Sequence, residues 1–391
     1  MPRRILDGYR VLDFTTAVSG PHCTRMLADL GAEVVKVEGP GGDGTRRYGG
    51  QVNGIGPFFS QQNCGKRSVA VDLSTDGGRE LCLSLADVAD VVAENFRPGV
   101  MDRLGLGWEV LCERNPRLVY AAISGYGRED ERAQRRALAN VVHAEAGLLE
   151  RQARRDGRTP VPIKWSAADT YSGLELLAGV LAALLDRATT GLGQRVEVSM
   201  VDSMLSVDDF AAFDLWPSGD EFEAQPDPIL VPASDGWMMI SANPVLVPEP
   251  FFELMDRSDL LADSRFATRE ARQANRQGLI DEIATWSREL PTDALDHLCA
   301  AVGLAAGVCR TTRDAISIRR DTAIVDVSDR GDGVVPLISS PQQFSHAESG
   351  IHGVVPYLGE HNDEVLREWL GRTEAGELRA AGVLHSAPRS D

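Results

Sequence analysis

One carboxylate, Asp169, stands just ahead of a long apolar run. Residues 174–185 are apolar except for Glu175, and "SAADTYSG" leads into them. Asp is a preferred residue at helix N-termini, where the macrodipole stabilises negative charge. The same backbone N–H groups are expected to keep a nucleophilic carboxylate ionised, and the small Ser172 and Gly173 to leave room for a substrate. Spacing alone favours the capping role over the catalytic one.

Other reactive groups lack the spacing that their chemistry needs. The six cysteines include no CxxC pair and the seven histidines no HxxxH pair, so neither a metal site nor a disulfide framework is expected. No GxSxG elbow or Walker A motif occurs, and the turn "TTAVSGPH" after the first predicted strand has a single glycine. Elimination leaves a carboxylate as the candidate nucleophile.

The composition indicates a globular protein of two or three domains. The chain has 391 residues, of which 43% are hydrophobic and 25% charged. Its net charge of −18 argues against nucleic-acid and anionic-membrane partners, because both need a cationic face. No signal peptide precedes the first strand pattern, and no apolar run reaches the roughly 20 residues of a bilayer span. A cytoplasmic location is expected.

Strand and helix patterns alternate through the first 130 residues. "YRVLDFT", "EVVKVE", "RSVAVDLS", "VVAENF" and "LVYAAISGYG" are typical of strands, and helical spacing lies between them. This alternation predicts an α/β fold with a parallel sheet, which binds ligands at the carboxyl ends of its strands. Helices are predicted over 139–150 and 172–188, a linker at "PSGDEFEAQPDP", and loop at "RGDGVVPLISSPQQF".

Four long segments resemble the class III CoA-transferases, the family of formyl-CoA and carnitine CoA-transferases. They are "VLDFTTAVSGPHCTRMLADLGAEVVKVEGPGGDGTRR", "CGKRSVAVDLSTDGGRELCLSLADVADVVAENFRPGVMDRLGLGWEVLCERNPRLVYAAISGYG", "DTYSGLELLAGVLAALLDRATTGLGQRVEVSMVDSML" and "PYLGEHNDEVLREWLG". They stand in the family's order and cover about 155 residues. The resemblance implies a Rossmann-like large domain (1–205 and 325–391), a smaller α+β domain (206–324), and a homodimer of interlinked rings.

The resemblance also implies the chemistry. Asp169 matches the family's catalytic aspartate, which precedes the central helix. Its carboxylate is expected to attack an acyl-CoA thioester, giving a mixed anhydride and then an aspartyl-CoA thioester, from which a carboxylic acid takes up CoA. Covalent catalysis suits this exchange because it divides a difficult transfer into easier steps. No metal is needed.

A CoA site over the carboxyl ends of the strands is implied as well. The matching positions are Lys66 in "GKRS", Asn95 and Phe96 in "ENFRPG", and Arg103 and Leu104 in "DRLG". Arg103 suits a CoA phosphate because its planar guanidinium binds phosphate bidentately. Gly39 stands where relatives often place arginine or proline, so Arg46 or Arg47 is expected to supply one phosphate contact. Ordinary roles stay open, since Asn95 also suits a turn cap and Arg103 a solvated helix.

Three residues are expected beside the acyl group. Val18 in "TTAVSGP" stands where formyl-CoA transferases carry a glutamine, and Asn140 and His143 lie in "ANVVHAEAG", which borders the acyl site in relatives. A structural, partly buried histidine is the alternative for His143. The family's "GYGPxxxxPGYD" is replaced by "GYGREDERAQRRALA", and its closing Gly-rich loop has no clear counterpart. Formyl-CoA and oxalate are therefore not expected as substrates.

Two rival functions fit parts of the same pattern. The α-methylacyl-CoA racemases share the fold but use a histidine in a "GHDxNY" stretch as base, and Leu138 stands at that position here. His143 follows it by about one helical turn and replaces it only if the loop is rearranged. A non-catalytic acyl-CoA binder is the second rival, for which Asp169→Ala is expected to leave acyl-CoA binding in place and to change no activity.

Overall fold

The structure is a computed structural model that describes residues 3–209, 211–216, 228–331 and 333–387. The strands among these residues are β1 (Arg10–Asp13), β2 (Glu33–Glu38), β3 (Arg67–Val71), β4 (Val91–Glu94), β5 (Val119–Ser124), β6 (Arg195–Ser199), β7 (Ile229–Pro232), β8 (Trp237–Ile240), β9 (Ala306–Val308), β10 (Ile324–Ser328), β11 (Val334–Ile338) and β12 (Leu384–His385).

The α-helices among the same residues are α1 (Ser19–Asp29), α2 (Pro57–Asn63), α3 (Asp76–Asp87), α4 (Val100–Arg103), α5 (Trp108–Arg114), α6 (Ala139–Glu145), α7 (Leu148–Asp156), α8 (Ala167–Thr190), α9 (Met200–Ser206), α10 (Ala211–Asp214), α11 (Glu249–Leu254), α12 (Arg269–Ala274), α13 (Arg276–Ser287), α14 (Thr292–Ala301), α15 (Thr312–Ile318), α16 (Arg320–Ala323), α17 (Asn362–Leu370) and α18 (Ala375–Ala380). Short 3₁₀ turns occur at Gly44–Arg47 and Ser258–Ala262.

The main sheet has the strand order β12-β3-β2-β1-β4-β5-β6. β1 to β6 pair in parallel, and only the edge strand β12 is antiparallel. Leu12 at the centre of β1 lies opposite Val35 on one side and Val92 on the other. All three are buried, as expected for a parallel sheet covered on both faces. The predicted α/β class with a parallel sheet is confirmed.

Each face of this sheet packs on its own hydrophobic core. One core joins α1 and α8 to alternate residues of the strands, including Val11, Val91 and Val119. The other joins α3, α5 and α17 to the opposite side chains, including Leu12 and Val92. α1 follows β1 and α8 precedes β6, so both helices run against the strands and begin at the carboxyl edge of the sheet.

The chain forms two compact units. The first contains Met1–Ala211 and Asp321–Asp391, and the second contains Ala212–Arg320. The sequence analysis placed the corresponding divisions at 205/206 and 324/325. The second unit has the antiparallel sheet β7-β8-β9 and a core formed with α11, α13 and α14.

Several elements differ from their predicted bounds. α8 begins at Ala167 rather than residue 172, so Asp169 lies inside its first turn. The helix predicted over 139–150 divides into α6 and α7 at Gly147, whose φ of +80° favours glycine. "VVPLI" forms β11, which pairs with β10, within a segment predicted as loop. The predicted linker 217–228 lies, except for its last residue, outside the described residues.

Among the described residues, one helix, α8, is long and apolar enough to cross a membrane by length and composition. It has 24 residues and a mean hydropathy of 1.3 over its most apolar window. The sequence analysis expected no such segment, because the apolar run itself is shorter than α8. Core helices of soluble proteins pass the same test, and α8 packs on α1 and the sheet. This one helix is therefore weak evidence for a membrane span.

Candidate active site

Asp169 stands at the carboxyl edge of the parallel sheet. It is the third residue of α8, after Ala167 and Ala168, and Ser166 is the N-cap. α8 leads into the parallel strand β6. Ser166 caps the helix without a side-chain hydrogen bond. Parallel sheets bind their ligands at this edge, so the position suits a reactive group.

The Asp169 carboxyl is partly buried, and burial raises its pKa from 3.8 to about 6. No hydrogen bond to this carboxylate comes from any residue that the structure describes. The sequence analysis expected helix N–H groups to favour the ionised form, whereas burial acts in the opposite direction. A carboxylate with a pKa near 6 is ionised at neutral pH yet poorly solvated.

The residue just before Asp169, Ala168, is held at both of its backbone polar groups. The Ala168 N–H donates to Nε2 of His143 on α6, at 3.1 Å. The Ser172 hydroxyl donates to the Ala168 carbonyl, at 2.5 Å. His143 and Ser172 are fully buried. These contacts fix the first turn of α8 and with it the direction in which Asp169 leaves the helix.

The sequence analysis expected Ser172 and Gly173 to leave room for a substrate, but the structure uses both for packing. A Cβ on Gly173 would stand 2.6 Å from the Ser19 carbonyl oxygen and 3.1 Å from Cβ of His22. The glycine therefore permits the close approach of α8 to α1. This contact brings the N-termini of the two helices, and so Asp169 and Val18, to the same edge.

The loop between β1 and α1 carries Val18, the N-cap of α1. Ala17 in this loop has a φ of +63°, which costs a non-glycine residue about 1 kcal/mol. Asn95 holds the loop by accepting from the Thr16 N–H and donating to the Thr16 carbonyl, both at 2.8 Å. Asp43 accepts the Ala17 N–H at 3.2 Å. Neighbouring residues thus hold a strained loop in one shape beside the site.

Lys66 lies in the protein interior and not at a ligand surface. Its ammonium is 3.0 Å from Asp13 Oδ2, 2.7 Å from the Thr24 hydroxyl and 2.9 Å from Asn63 Oδ1. Burial lowers the pKa of Lys66 to about 8, so it stays charged at neutral pH. Burial alone would raise the pKa of Asp13, but Lys66 and Lys36 hold it below its usual value. The structure thus gives Lys66 a supporting role in place of the predicted CoA contact.

Arg46 also turns inward. It forms a two-pronged ion pair with Glu38, with contacts of 2.6 and 2.8 Å, and donates to the Pro356 carbonyl at 2.9 Å. Its guanidinium lies 3.7 Å from the centre of the Phe59 ring. These contacts leave Arg46 little capacity for a phosphate, whereas its neighbour Arg47 is exposed.

The remaining predicted CoA residues line the same edge from α4 and the loop after β4. Asn95 and Phe96 follow β4 directly, and both are partly buried. Arg103 ends α4 with an exposed guanidinium, for which no ion pair within the described residues is found. Leu104 packs on the adjacent core. Arg103, like the exposed Arg47, is therefore available to bind a phosphate.

Asn140 and His143 lie on opposite sides of α6. Asn140 and the neighbouring Leu138 are exposed, whereas His143 is fully buried. Because the Nε2 lone pair of His143 accepts the Ala168 N–H, it is not free to act as a base, and Leu138 offers none. The racemase alternative therefore lacks its proton acceptor at both positions considered.

An open cleft of about 450 Å³ lies at the carboxyl ends of β5 and β6. Four carboxylates line it, from Glu129, Asp130, Glu197 and Asp202, together with Arg128. Such a lining disfavours phosphates, and none of the predicted site residues belongs to it. Within the described ranges, no group of three or more His, Cys, Asp or Glu side chains is placed to hold a metal.

Two aromatic residues escaped the sequence analysis. Trp165 precedes α8 and packs edge-to-face on Tyr171, with ring centroids 5.9 Å apart. The pair brackets the first turn of α8, and Trp165 is 58% exposed. The sequence signal is the presence of an aromatic residue on each side of Asp169. That these two side chains lie close together follows only once α8 is known to begin at Ala167.

Comparison with known proteins places the chain in one family. The family model "CoA-transferase family III" matches residues 6–362. Succinyl-CoA:mesaconate CoA-transferase of Haloarcula hispanica is 36% identical over 93% of this chain and 96% of its own length. Formyl-CoA:oxalate CoA-transferase of Streptomyces coelicolor is 32% identical over 98% and 100%. A crystal structure of a CaiB/BaiF family protein from Brucella suis, 31% identical, covers 94% of this chain and 99% of its own, with a TM-score of 0.82.

Proposed function

This chain belongs to CoA-transferase family III, and we propose that it moves CoA between carboxylic acids through covalent intermediates on Asp169. Enzymes of this class use CoA thioesters as substrates. The observation that carries the proposal is the placement of Asp169 at the carboxyl edge of the sheet, as a partly buried carboxylate to which no described residue donates a hydrogen bond. A poorly solvated carboxylate is a stronger nucleophile than one at the surface.

The proposed reaction balances without a proton donor or a metal. A carboxylate oxygen of Asp169 attacks the thioester carbon, the C–S bond breaks, and CoA thiolate leaves a mixed anhydride. The thiolate attacks the Asp169 carbonyl carbon, which releases the donor acid and forms an aspartyl-CoA thioester. The acceptor carboxylate attacks that carbon and expels the thiolate. The thiolate then attacks the acceptor acyl carbon and restores the Asp169 carboxylate.

CoA is proposed to lie across the loops after β1 and β4. The exposed guanidinium of Arg103, with Arg47, supplies positive charge for the phosphates in a chain that is otherwise acidic. Asn95, Phe96 and Leu104 border the nucleotide and pantetheine. Val18 and Asn140 are proposed to face the acyl group, on the strength of their place near the N-termini of α1 and α6.

The acids themselves differ among relatives of similar identity. One relative is named for succinyl-CoA and mesaconate, another for formyl-CoA and oxalate. The segment 128–137 is held here by Arg132, which pairs with Asp130 and Glu145 and lies over Tyr126. This arrangement leads directly into α6, so we expect it to determine acid selectivity.

A homodimer of interlinked rings is proposed as the assembly. Segments of the first unit that are distant in sequence contact each other: the backbones of Arg4 and Glu348 form an isolated β-bridge, and β12 pairs with β3. The chain leaves this unit at Ala211 and returns at Asp321. Interlinked chains require such closure within each chain. The interlinked dimer itself is what the resemblance to the family implies.

Mass spectrometry tests the proposed chemistry directly. Enzyme incubated with a panel of acyl-CoA thioesters and trapped with hydroxylamine is expected to yield a hydroxamate on the peptide that contains Asp169. Asp169→Asn, which is nearly isosteric, is expected to give no adduct while still binding CoA. Absence of any adduct across the panel would reject the mechanism. Deuterium exchange at Cα of a 2-methylacyl-CoA without an acceptor acid would favour the racemase instead.

A further inference from the structure

We propose that His143 is a positioning residue for Asp169, because it caps α8 at Ala168 and thereby sets where the nucleophilic carboxylate stands. The inference rests on the proposed function of Asp169. Ser166, the residue at the cap position, makes no side-chain hydrogen bond. His143, which lies on α6, accepts the Ala168 N–H of α8 with its Nε2 and so performs the capping role in place of Ser166.

The contact determines the state of the imidazole. Nε2 accepts an N–H, so the neutral ring carries its proton on Nδ1, and a doubly protonated ring would set N–H against N–H. His143 is fully buried, and burial lowers its pKa, which favours the neutral form. Nδ1 has no partner within the described residues. A buried donor left unpaired is costly, and the hydrogen bond that Nε2 accepts offsets part of this cost.

The position of the contact links it to the chemistry. The Ala168 carbonyl belongs to the peptide bond of Asp169 itself and accepts from the buried Ser172 hydroxyl. The His143 and Ser172 contacts together hold Ala168, the residue that directly precedes Asp169. Because a shift of about 1 Å in a reacting group can cost about a hundredfold in rate, a cap at this residue has kinetic consequences.

Three variants separate the acceptor from the volume of the side chain. The Gln carboxamide oxygen reaches about as far as Nε2, the Asn oxygen only about as far as Nδ1, and Leu has no acceptor. His143→Gln is expected to form the Asp169 adduct within about threefold of the wild-type rate, and His143→Asn and His143→Leu about tenfold to a hundredfold more slowly. KM for the acyl-CoA is expected to stay unchanged, because the CoA residues lie on other elements.

Hydrogen exchange and NMR give readouts that do not depend on activity. The Ala168 amide is expected to exchange faster in His143→Asn and His143→Leu but not in His143→Gln. The ¹⁵N spectrum of the wild-type enzyme is expected to show His143 as the neutral Nδ1–H tautomer, assigned by its loss in His143→Gln. An Nε2–H tautomer would overturn the inference even if a variant failed to fold.

The outcomes also separate this inference from the proposed function. Equal adduct rates for His143→Asn and wild type would overturn the positioning role and leave the transfer mechanism intact. A His143→Gln variant that is folded but as slow as His143→Asn would overturn the role of the acceptor. No adduct in the wild type would reject the mechanism itself, and the positioning role with it.

Discussion

At the scale of single residues, the environment of Asp169 predicts a pH dependence. Burial raises its pKa to about 6, and only the ionised carboxylate can attack a thioester. We therefore expect kcat/KM to rise tenfold per pH unit below about pH 6 and to level off above it. Initial rates measured from pH 4.5 to 8, with folding checked by circular dichroism, test this. A limb near pH 4 would show that the carboxylate is solvated as at a surface.

The same pKa predicts that the nucleophile costs stability. A carboxyl whose folded pKa is raised stabilises the fold most below its unfolded pKa of 3.8, and this contribution is lost as pH rises through about 6. Asp169→Asn removes the charge, so it is expected to raise the free energy of unfolding at pH 7 by up to about 3 kcal/mol. The gain should vanish below about pH 4. Urea unfolding at both pH values provides the measurement, and an equal gain at both would contradict it.

Lys66 and Arg103 were predicted as CoA ligands together, and the structure separates them. Lys66→Met leaves buried Asp13 without its closest cation, so a loss of stability of about 3–5 kcal/mol is expected. Arg103→Met removes an exposed, free guanidinium, so KM for acyl-CoA should rise about tenfold with unchanged stability. Thermal unfolding and steady-state kinetics of both variants decide the matter. A raised KM with unchanged stability in Lys66→Met, or a loss of stability with unchanged KM in Arg103→Met, would refute these assignments.

At the scale of elements, the contact between α8 and α1 determines where Asp169 lies. Gly173→Ala would bring its methyl group to 2.6 Å from the Ser19 carbonyl oxygen, so the helices must separate. We expect a loss of about 1–3 kcal/mol, although alanine is the better helix former, and a lower kcat. Gly278→Ala on α13 is the matched control, because nothing lies within 4 Å of its added Cβ. A neutral Gly173→Ala variant would show that α8 can shift freely.

At the scale of the whole molecule, exposed apolar side chains predict a partner of the same kind. Examples in the described parts of the chain are Leu138, Trp165, Leu185, Leu215 and Trp216, which are 58–82% exposed. Burial of such side chains between two copies of the chain would stabilise the proposed dimer. Light scattering is expected to give twice the mass of the chain. Interlinked subunits should not exchange between tagged and untagged protein without unfolding, whereas free exchange would indicate an open dimer.

The sequence by itself predicted most of the main sheet and, through the family resemblance, indicated Asp169 as the candidate nucleophile. Apolar runs such as "YRVLDFT" are typical of strands buried on both faces of a sheet, so β1 to β5 could be predicted without coordinates. The motif around Asp169 was recognisable because the family's catalytic residue is an aspartate just before the central helix, and both features can be read from the sequence. Exposure, in contrast, is not encoded locally, and the buried Lys66 and Arg46 therefore resembled the free Arg103.

Only the tertiary structure decided what surrounds the reactive group. Asp169 alone was expected to be stabilised as an anion, but burial by distant elements reversed the direction of its pKa shift. His143 and Ala168 are 25 residues apart, and no local pattern shows that one caps the other. Solvation and hydrogen bonding depend on which segments pack together. These properties of the site arise only when α6, α8 and the sheet have assembled.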